Sequence, residues 1–107
     1  MKPGDIWLAD IPYLGTHEQS GKRPAVVIAR VAKTIATIIP CTSNNLALRF
    51  PFTYLIEPNN TNGLSSPTVA LIFHIRAIDT SLLKNKIGRL DNKSLADVRK
   101  LARKLIG

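Results

Sequence analysis

The chain has 107 residues, 45% of them apolar and 21% charged, which suits a single domain spanning residues 1–107 and leaves too little for two cores. No apolar run approaches the roughly 18–20 residues that cross a bilayer, Met1 to Asp10 lacks the pattern of a signal peptide, and one cysteine excludes an internal disulfide framework. A net charge of +8 and a pI near 10.2 point to an anionic partner, nucleic acid first and an acidic protein second, in a cytoplasmic protein with no membrane association.

The punctuation is that of a β-rich domain. Gly4 to Ile11 reads as a short strand, with Ile6 and Leu8 alternating against polar neighbours until Pro12 ends it. Tyr13 to Lys22 is polar, with Gly15 and Gly21 near its ends, and reads as a loop. Pro24 to Ala32 is apolar and β-branched, hence a buried strand. Ile35 to Ile39 repeats the pattern after a turn near Lys33, which makes a hairpin. Cys41 to Arg49 is irregular, with Asn44-Asn45 as a turn signal. Phe52 to Ile56 is a further strand. Pro58 to Pro67 is a long loop of the kind that is often functional or mobile. Val69 to Ile75 is one apolar run interrupted by His74, which Arg76 to Asp79 continues past a bend, and Asn85 to Leu90 is a last strand around Gly88.

Asp91 is placed to cap a closing helix. There Leu95, Val98, Leu101, Ala102 and Leu105 share one face, and Lys93, Arg99, Lys100, Arg103 and Lys104 lie on the other. From Lys84 to Gly107 there are eight basic and two acidic residues, so most of the excess charge sits in the last quarter of the chain. A basic helix face serves solubility as readily as binding. Mainly β with a C-terminal helix, the chain is expected to form a small closed barrel with the helix against it.

Three segments resemble the MazF/PemK toxin family. They are Gly4-Asp5-Ile6-Trp7-Leu8, the run from His17-Glu18-Gln19-Ser20-Gly21-Lys22-Arg23-Pro24 into an apolar strand, and Pro40-Cys41-Thr42-Ser43. Gly63-Leu64, Arg76-Ala77-Ile78-Asp79 and Ile87-Gly88-Arg89-Leu90 are fainter echoes, and the order of the motifs through the chain is the stronger signal. The resemblance implies an SH3-like barrel, a homodimer, and a metal-independent endoribonuclease of the mRNA interferase type acting on single-stranded RNA. It also implies a cognate acidic antitoxin whose flexible tail occupies the RNA groove, the pair together binding DNA.

Metal-free cleavage of RNA can use the substrate's own 2′-OH as nucleophile. The protein then supplies a base, an acid and a cation for the crowded phosphorane, and no cofactor is expected. Arg23 suits the cation, because its planar fork matches phosphate oxygens, although it equally suits a carboxylate partner. Thr42 takes the place of the family's active-site threonine, although Thr42-Ser43 also reads as turn chemistry. His17 suits proton transfer near neutral pH. Glu18 and Gln19 could hold the loop or read a base edge, Lys22 could anchor a phosphate, and Ser43, His74 and Arg76 complete the expected RNA-binding set. His74 alone in an apolar strand also reads as a hydrogen-bonded structural residue. Cys41 reads as a small buried residue, with a Cys-His pair left open. Trp7 and Tyr54 could stack on bases, core packing being the simpler role for Trp7.

One departure bears on the chemistry. Many family members carry a basic and an acidic residue where this chain has Leu71 and Phe73, and a glutamine where it has His74. Either Arg23 and Thr42 serve without that pair, or cleavage has been lost and the chain binds RNA or protein. Poisoning of DNA gyrase, as in toxins of a related fold, is a third reading.

Overall fold

A computed structural model describes residues 1–11 and 22–107. The expected loop from Tyr13 onward, with His17, Glu18 and Gln19, lies outside the described residues. Among the described residues seven strands are followed by one helix: β1 (Asp5–Asp10), β2 (Lys22–Ala32), β3 (Ile35–Thr42), β4 (Thr53–Ile56), β5 (Thr68–Leu71), β6 (Arg76–Asp79), β7 (Leu83–Arg89) and α1 (Asn92–Ile106). Short 3-10 turns occupy Asn45–Arg49, Ile72–His74 and Thr80–Leu82. Among the described residues no helix is long and apolar enough to cross a membrane.

All ladders are antiparallel, in the order β4-β5-β3-β2-β1-β7, with β6 attached to β3. The pivot is β3. Its first half pairs with β6 from Ile35 to Ile38, and its end pairs with β5 at Cys41 and Thr42. One strand therefore serves two sheet edges, and the chain between β5 and β6 must step from one to the other. It does so in the Ile72–His74 turn, closed by Ile75 N–H donating to Ile72 C=O at 3.0 Å. This corrects the expected continuous strand from Val69 to Ile75. Burial of Val69, Ala70, Leu71 and Ile72 makes strand and turn equally apolar, so hydrophobicity alone could not place the break.

The fold is mainly β with a C-terminal helix, as expected, but the barrel is not closed by strand pairing. Among the described residues no ladder joins β4 to β7. The loop that leaves β4 reaches β7 instead, and Arg89 N–H donates to Thr61 C=O at 2.9 Å. That approach requires glycine. A Cβ on Gly88 would stand 2.4 Å from the Thr61 carbonyl oxygen. One on Gly63, whose φ is +71°, would stand 1.9 Å from the carbonyl oxygen of Ile87.

Both faces are buried in the middle of β2 and along most of β3. Val26, Ile39 and Cys41 join Ile6, Ile56, Ile72 and Leu90 under the helix residues Leu95, Val98 and Ala102. Ala25, Val27, Ala36 and Ile38 form a second cluster with Ala9, Ile78 and Leu83. Burial on two sides explains why these strands read as continuous apolar runs. The helix is capped as expected, Ser94 N–H donating to Asp91 Oδ1 at 2.7 Å. It is tied down by Tyr54, whose hydroxyl donates to Asp97 Oδ2 at 2.9 Å. Lys93 shares that oxygen at 2.9 Å, and the hydrogen bonds from Lys93 and Tyr54 hold the Asp97 carboxyl below its ordinary value.

Asp5, in the opening motif, is buried and structural. Its Oδ2 accepts from Lys2 N–H at 2.8 Å, while Lys86 Nζ and Arg89 Nη1 stand 3.4 and 3.9 Å from Oδ1. At those distances the cations neutralise its charge without forming well-aligned hydrogen bonds.

Candidate RNA-binding groove

The three residues Lys22, Arg23 and Pro24 open β2, with Arg23 opposite Ala9 of β1. On the other side of β2, the register from Val26–Ile39 to Ala25–Pro40 runs toward Cys41 and Thr42. The beginning of one strand and the end of the next thus converge. They form one wall of a groove of about 540 Å³, to which Lys22, Arg23, Thr42 and Ser43 all contribute. The segment from Gly63 to Ser66 supplies the other wall. This size falls within the roughly 300–1,000 Å³ of small-ligand sites.

The loop that forms the second wall is held from beneath by Asn62, which is fully buried. Its Oδ1 accepts from Asn59 N–H at 3.2 Å and Leu64 N–H at 3.1 Å, and its Nδ2 donates to Glu57 C=O at 2.8 Å. Asn59 answers from the other side, its Oδ1 accepting from the N–H groups of Thr61 and Asn62, both at 2.9 Å. The loop that reads from composition as long and of a functional or mobile kind is therefore internally cross-braced from Glu57 to Leu64.

Thr42 makes the turn contact read for it and also lines the groove. Its Oγ1 accepts from Asn44 N–H at 3.1 Å, and Asn44 Oδ1 accepts from Leu46 N–H at 3.1 Å, so successive side chains start the Asn45–Arg49 turn. A hydroxyl that accepts still has its proton to donate. Cys41 also lines the groove but is 2% exposed; burial pushes its thiol up to about 12, and Sγ donates to Ile39 C=O at 3.6 Å. A protonated, tethered thiol is a packing residue and no nucleophile.

Beyond Thr42 lies a second groove of about 340 Å³, to which Thr42 itself contributes, together with Asn44, Arg49, Phe50, Phe73 and His74. Of the expected RNA-binding residues, Lys22 and Ser43 therefore line the first groove and His74 the second, while Arg76 sits on β6 opposite Ile38 and lines neither. Trp7 packs against the second core cluster and Tyr54 anchors the helix, so neither aromatic lines these grooves. Phe50 was not singled out from sequence, and Phe73 only as a departure from the family's acidic position, because nothing in the spacing of two phenylalanines 23 residues apart brings them together. Among the described residues no group of three or more His, Cys, Asp or Glu side chains gathers into a metal cage.

An antiparallel sheet with one closing helix, and with Lys22, Arg23, Thr42 and Ser43 around one groove, defines a class of small, mainly β folds. More narrowly, the chain belongs to the family of PemK-like, MazF-like toxins of type II toxin–antitoxin systems, which it matches over residues 2–106. It is 33% identical to endoribonuclease MazF9 of Mycobacterium tuberculosis, over 92% of this chain and 89% of that protein. It superposes on MazF from Deinococcus radiodurans with a TM-score of 0.73 and 31% identity, covering 97% of this chain and 93% of that one. A MazE–MazF structure from the same organism gives a TM-score of 0.71 and 30% identity, with 97% and 92% covered.

Proposed function

We propose that the protein is the toxin of a type II toxin–antitoxin system and a sequence-specific, metal-independent endoribonuclease acting on single-stranded RNA. The observation that carries this reading is the convergence of Arg23 and Thr42, from opposite ends of two adjacent strands, on one groove that also holds Lys22 and Ser43. In this reading the substrate's 2′-oxygen attacks the adjacent phosphorus as its proton passes to a base. The bond to the 5′-oxygen breaks, and that oxygen leaves with a proton from an acid. The products are a 2′,3′-cyclic phosphate and a 5′-hydroxyl. Arg23 neutralises the charge that builds on the phosphoryl oxygens, and the Thr42 hydroxyl donates to one of them. Lys22 anchors a neighbouring phosphate. His17 is assigned the proton transfer, as the residue of that loop suited to it near neutral pH.

The wider reading includes a homodimer, a cytoplasmic location, and an acidic antitoxin segment that occupies the groove as an RNA mimic, by charge complementarity with Lys22 and Arg23. A second reading, a binding protein without cleavage, is favoured by Leu71 and Phe73: the first is buried and apolar, the second an aromatic ring.

Incubating the purified protein with mixed-sequence RNA in EDTA, beside Arg23→Ala, decides between them. Cleavage to cyclic-phosphate and 5′-hydroxyl ends, lowered about 100-fold or more in the variant, supports the enzyme. Intact RNA with folded wild-type protein refutes it and leaves the binding reading.

A further inference from the structure

Asn62 and Gly63 form the single Asn-Gly pair of the sequence. A following glycine favours loss of an asparagine's side-chain amide, because it puts no side chain in the way when its backbone nitrogen attacks Cγ. The pair sits where such a change would matter. Asn62 is fully buried beneath its loop, and Gly63 begins the wall of the first groove that runs to Ser66. A cleft of about 270 Å³, on which Glu57, Asn59 and Asn62 all border, is ample for the water that the chemistry consumes.

The fold guards the amide and leaves the attacking nitrogen free. Asn62 Oδ1 is held by the N–H groups of Asn59 and Leu64, and Nδ2 by Glu57 C=O, so turning the side chain breaks all three bonds. The Gly63 N–H, by contrast, donates to nothing among the described residues. The guard is local. It depends on Asn59 Oδ1, which gathers the N–H groups of Thr61 and Asn62, and on the backbone bond from Arg89 to Thr61. Glu57, Asn59, Thr61 and Gly63 are all exposed. A loop closed by so few bonds at the surface opens more often than the domain unfolds.

We propose that Asn62–Gly63 is a self-modification site that retires the first groove as the protein ages. When the loop opens, the Gly63 nitrogen bonds to Asn62 Cγ, and the Cγ–Nδ2 bond breaks. The side-chain amide leaves as ammonia, carrying the proton that the Gly63 nitrogen gives up, and a succinimide remains. Water then opens that ring. Attack at Cγ gives aspartate at position 62; attack at the backbone carbonyl carbon gives isoaspartate, with the main chain running through the side chain. Either product damages the wall. Aspartate sets a carboxylate oxygen where Nδ2 donated to Glu57 C=O. Isoaspartate adds a methylene to the main chain beside Gly63, where one Cβ would already stand 1.9 Å from the carbonyl oxygen of Ile87. The lost amide is not restored, so each opening of the loop carries a chance of permanent loss of the groove. The inference goes beyond the RNA-cleaving reading and rests on it only for the activity readout.

The test incubates the folded wild-type protein at neutral pH and follows amide-to-acid conversion by peptide mass mapping, with isoaspartate scored by an isoaspartate-specific methyltransferase. Asn62 should convert ahead of every other asparagine, and more slowly than in the same chain unfolded in urea. Asn59→Ala loosens the loop at an exposed residue while keeping the Asn-Gly pair, and should quicken conversion about tenfold. The converted fraction, separated by its added negative charge, should cleave RNA about 100-fold more slowly than the unconverted fraction of the same incubation. It should also melt at a lower temperature, which reads the damaged wall without RNA. Conversion at Asn62 no faster than at another asparagine overturns the proposal, and so does an Asn59→Ala protein, shown by circular dichroism to be folded, that converts at the wild-type rate. A converted fraction that cleaves and melts like the unconverted one overturns it as well. If neither fraction cuts any RNA, the nuclease reading falls, and the melting comparison alone decides this one: a lower value supports it and an equal value overturns it.

Discussion

Replacing Asn62 by alanine tests whether the long loop is a built wall of the groove or a mere connection. The side chain is wholly buried and makes three hydrogen bonds, to Asn59 N–H, Leu64 N–H and Glu57 C=O. Asn62→Ala leaves all three backbone groups without their partner. Glu57 and Asn59 are exposed enough for water to reach, while Leu64 is half-buried. Taking about 1 kcal/mol for each broken bond gives a loss of about 3 kcal/mol. For a chain of this size that lowers Tm by roughly 10 to 20 °C. Urea unfolding with matched m-values measures it directly. Asn62→Asp separates hydrogen bonding from shape: it keeps both acceptor bonds, and only its protonated form can donate to Glu57 C=O. Its deficit relative to wild type should therefore shrink between pH 7 and pH 4. A loss under 1 kcal/mol in Asn62→Ala, or a deficit of Asn62→Asp that ignores pH, would refute the reasoning.

Other expectations follow from the same geometry. Thr42→Ser keeps both the bond to Asn44 N–H and a donor in the groove, so cleavage should stay within about threefold of wild type, whereas Thr42→Ala should lose about 100-fold in kcat. Gly88→Ala places a Cβ against Thr61 and should cost about 2–3 kcal/mol by urea titration. The Cys41 thiol, raised by burial from 9.0 to about 12, stays protonated in the folded protein after the unfolded chain has begun to ionise. Its contribution to stability is therefore complete below pH 9.0 and is lost as pH rises toward about 12, with a slope of about 1.4 kcal/mol per pH unit. Wild type should lose stability faster than Cys41→Ala between pH 9.5 and 10.5, as far as roughly that slope allows, and in parallel with it at pH 7 to 8.

The parts of the fold that were legible in the sequence are those where one physical requirement dominates. Strands β1 to β3 and helix α1 announce themselves through periodicity and capping, and Asp91 caps the helix as read. Arg23 and Thr42 were singled out because short motifs mark them, and both line one groove. Leu71 to Ile75 was not legible, because a turn between two buried edges satisfies the same hydrophobic demand as a strand. Asn62 was missed for a related reason. An asparagine in a run of Pro, Asn, Thr and Gly signals a turn, and nothing local says that its amide is turned inward to brace the loop. Phe50 and Phe73 meet only because β4 and β5 pair and Phe52 bends the chain back, which is a tertiary fact.

The charge of the molecule sits largely away from its grooves. Arg99, Lys100, Arg103 and Lys104 are exposed on α1, and none of them lines either groove, whereas Lys22, Arg23 and Arg49 do. The excess on the helix can therefore act on RNA through space without touching the bound segment, and ionic strength separates the two modes. The molecule extends about 34 Å, against a Debye length of about 30 Å at 0.01 M salt and about 8 Å at 0.15 M. Replacing Lys100 and Lys104 together by glutamine should raise KM about threefold at 0.01 M salt, through slower encounter, with kcat unchanged. The difference should vanish near 0.3 M, where screening reaches only a few ångströms. A KM increase of the same size at both ionic strengths would mean that the helix touches the RNA, and the path of the strand would then have to extend from the grooves across α1.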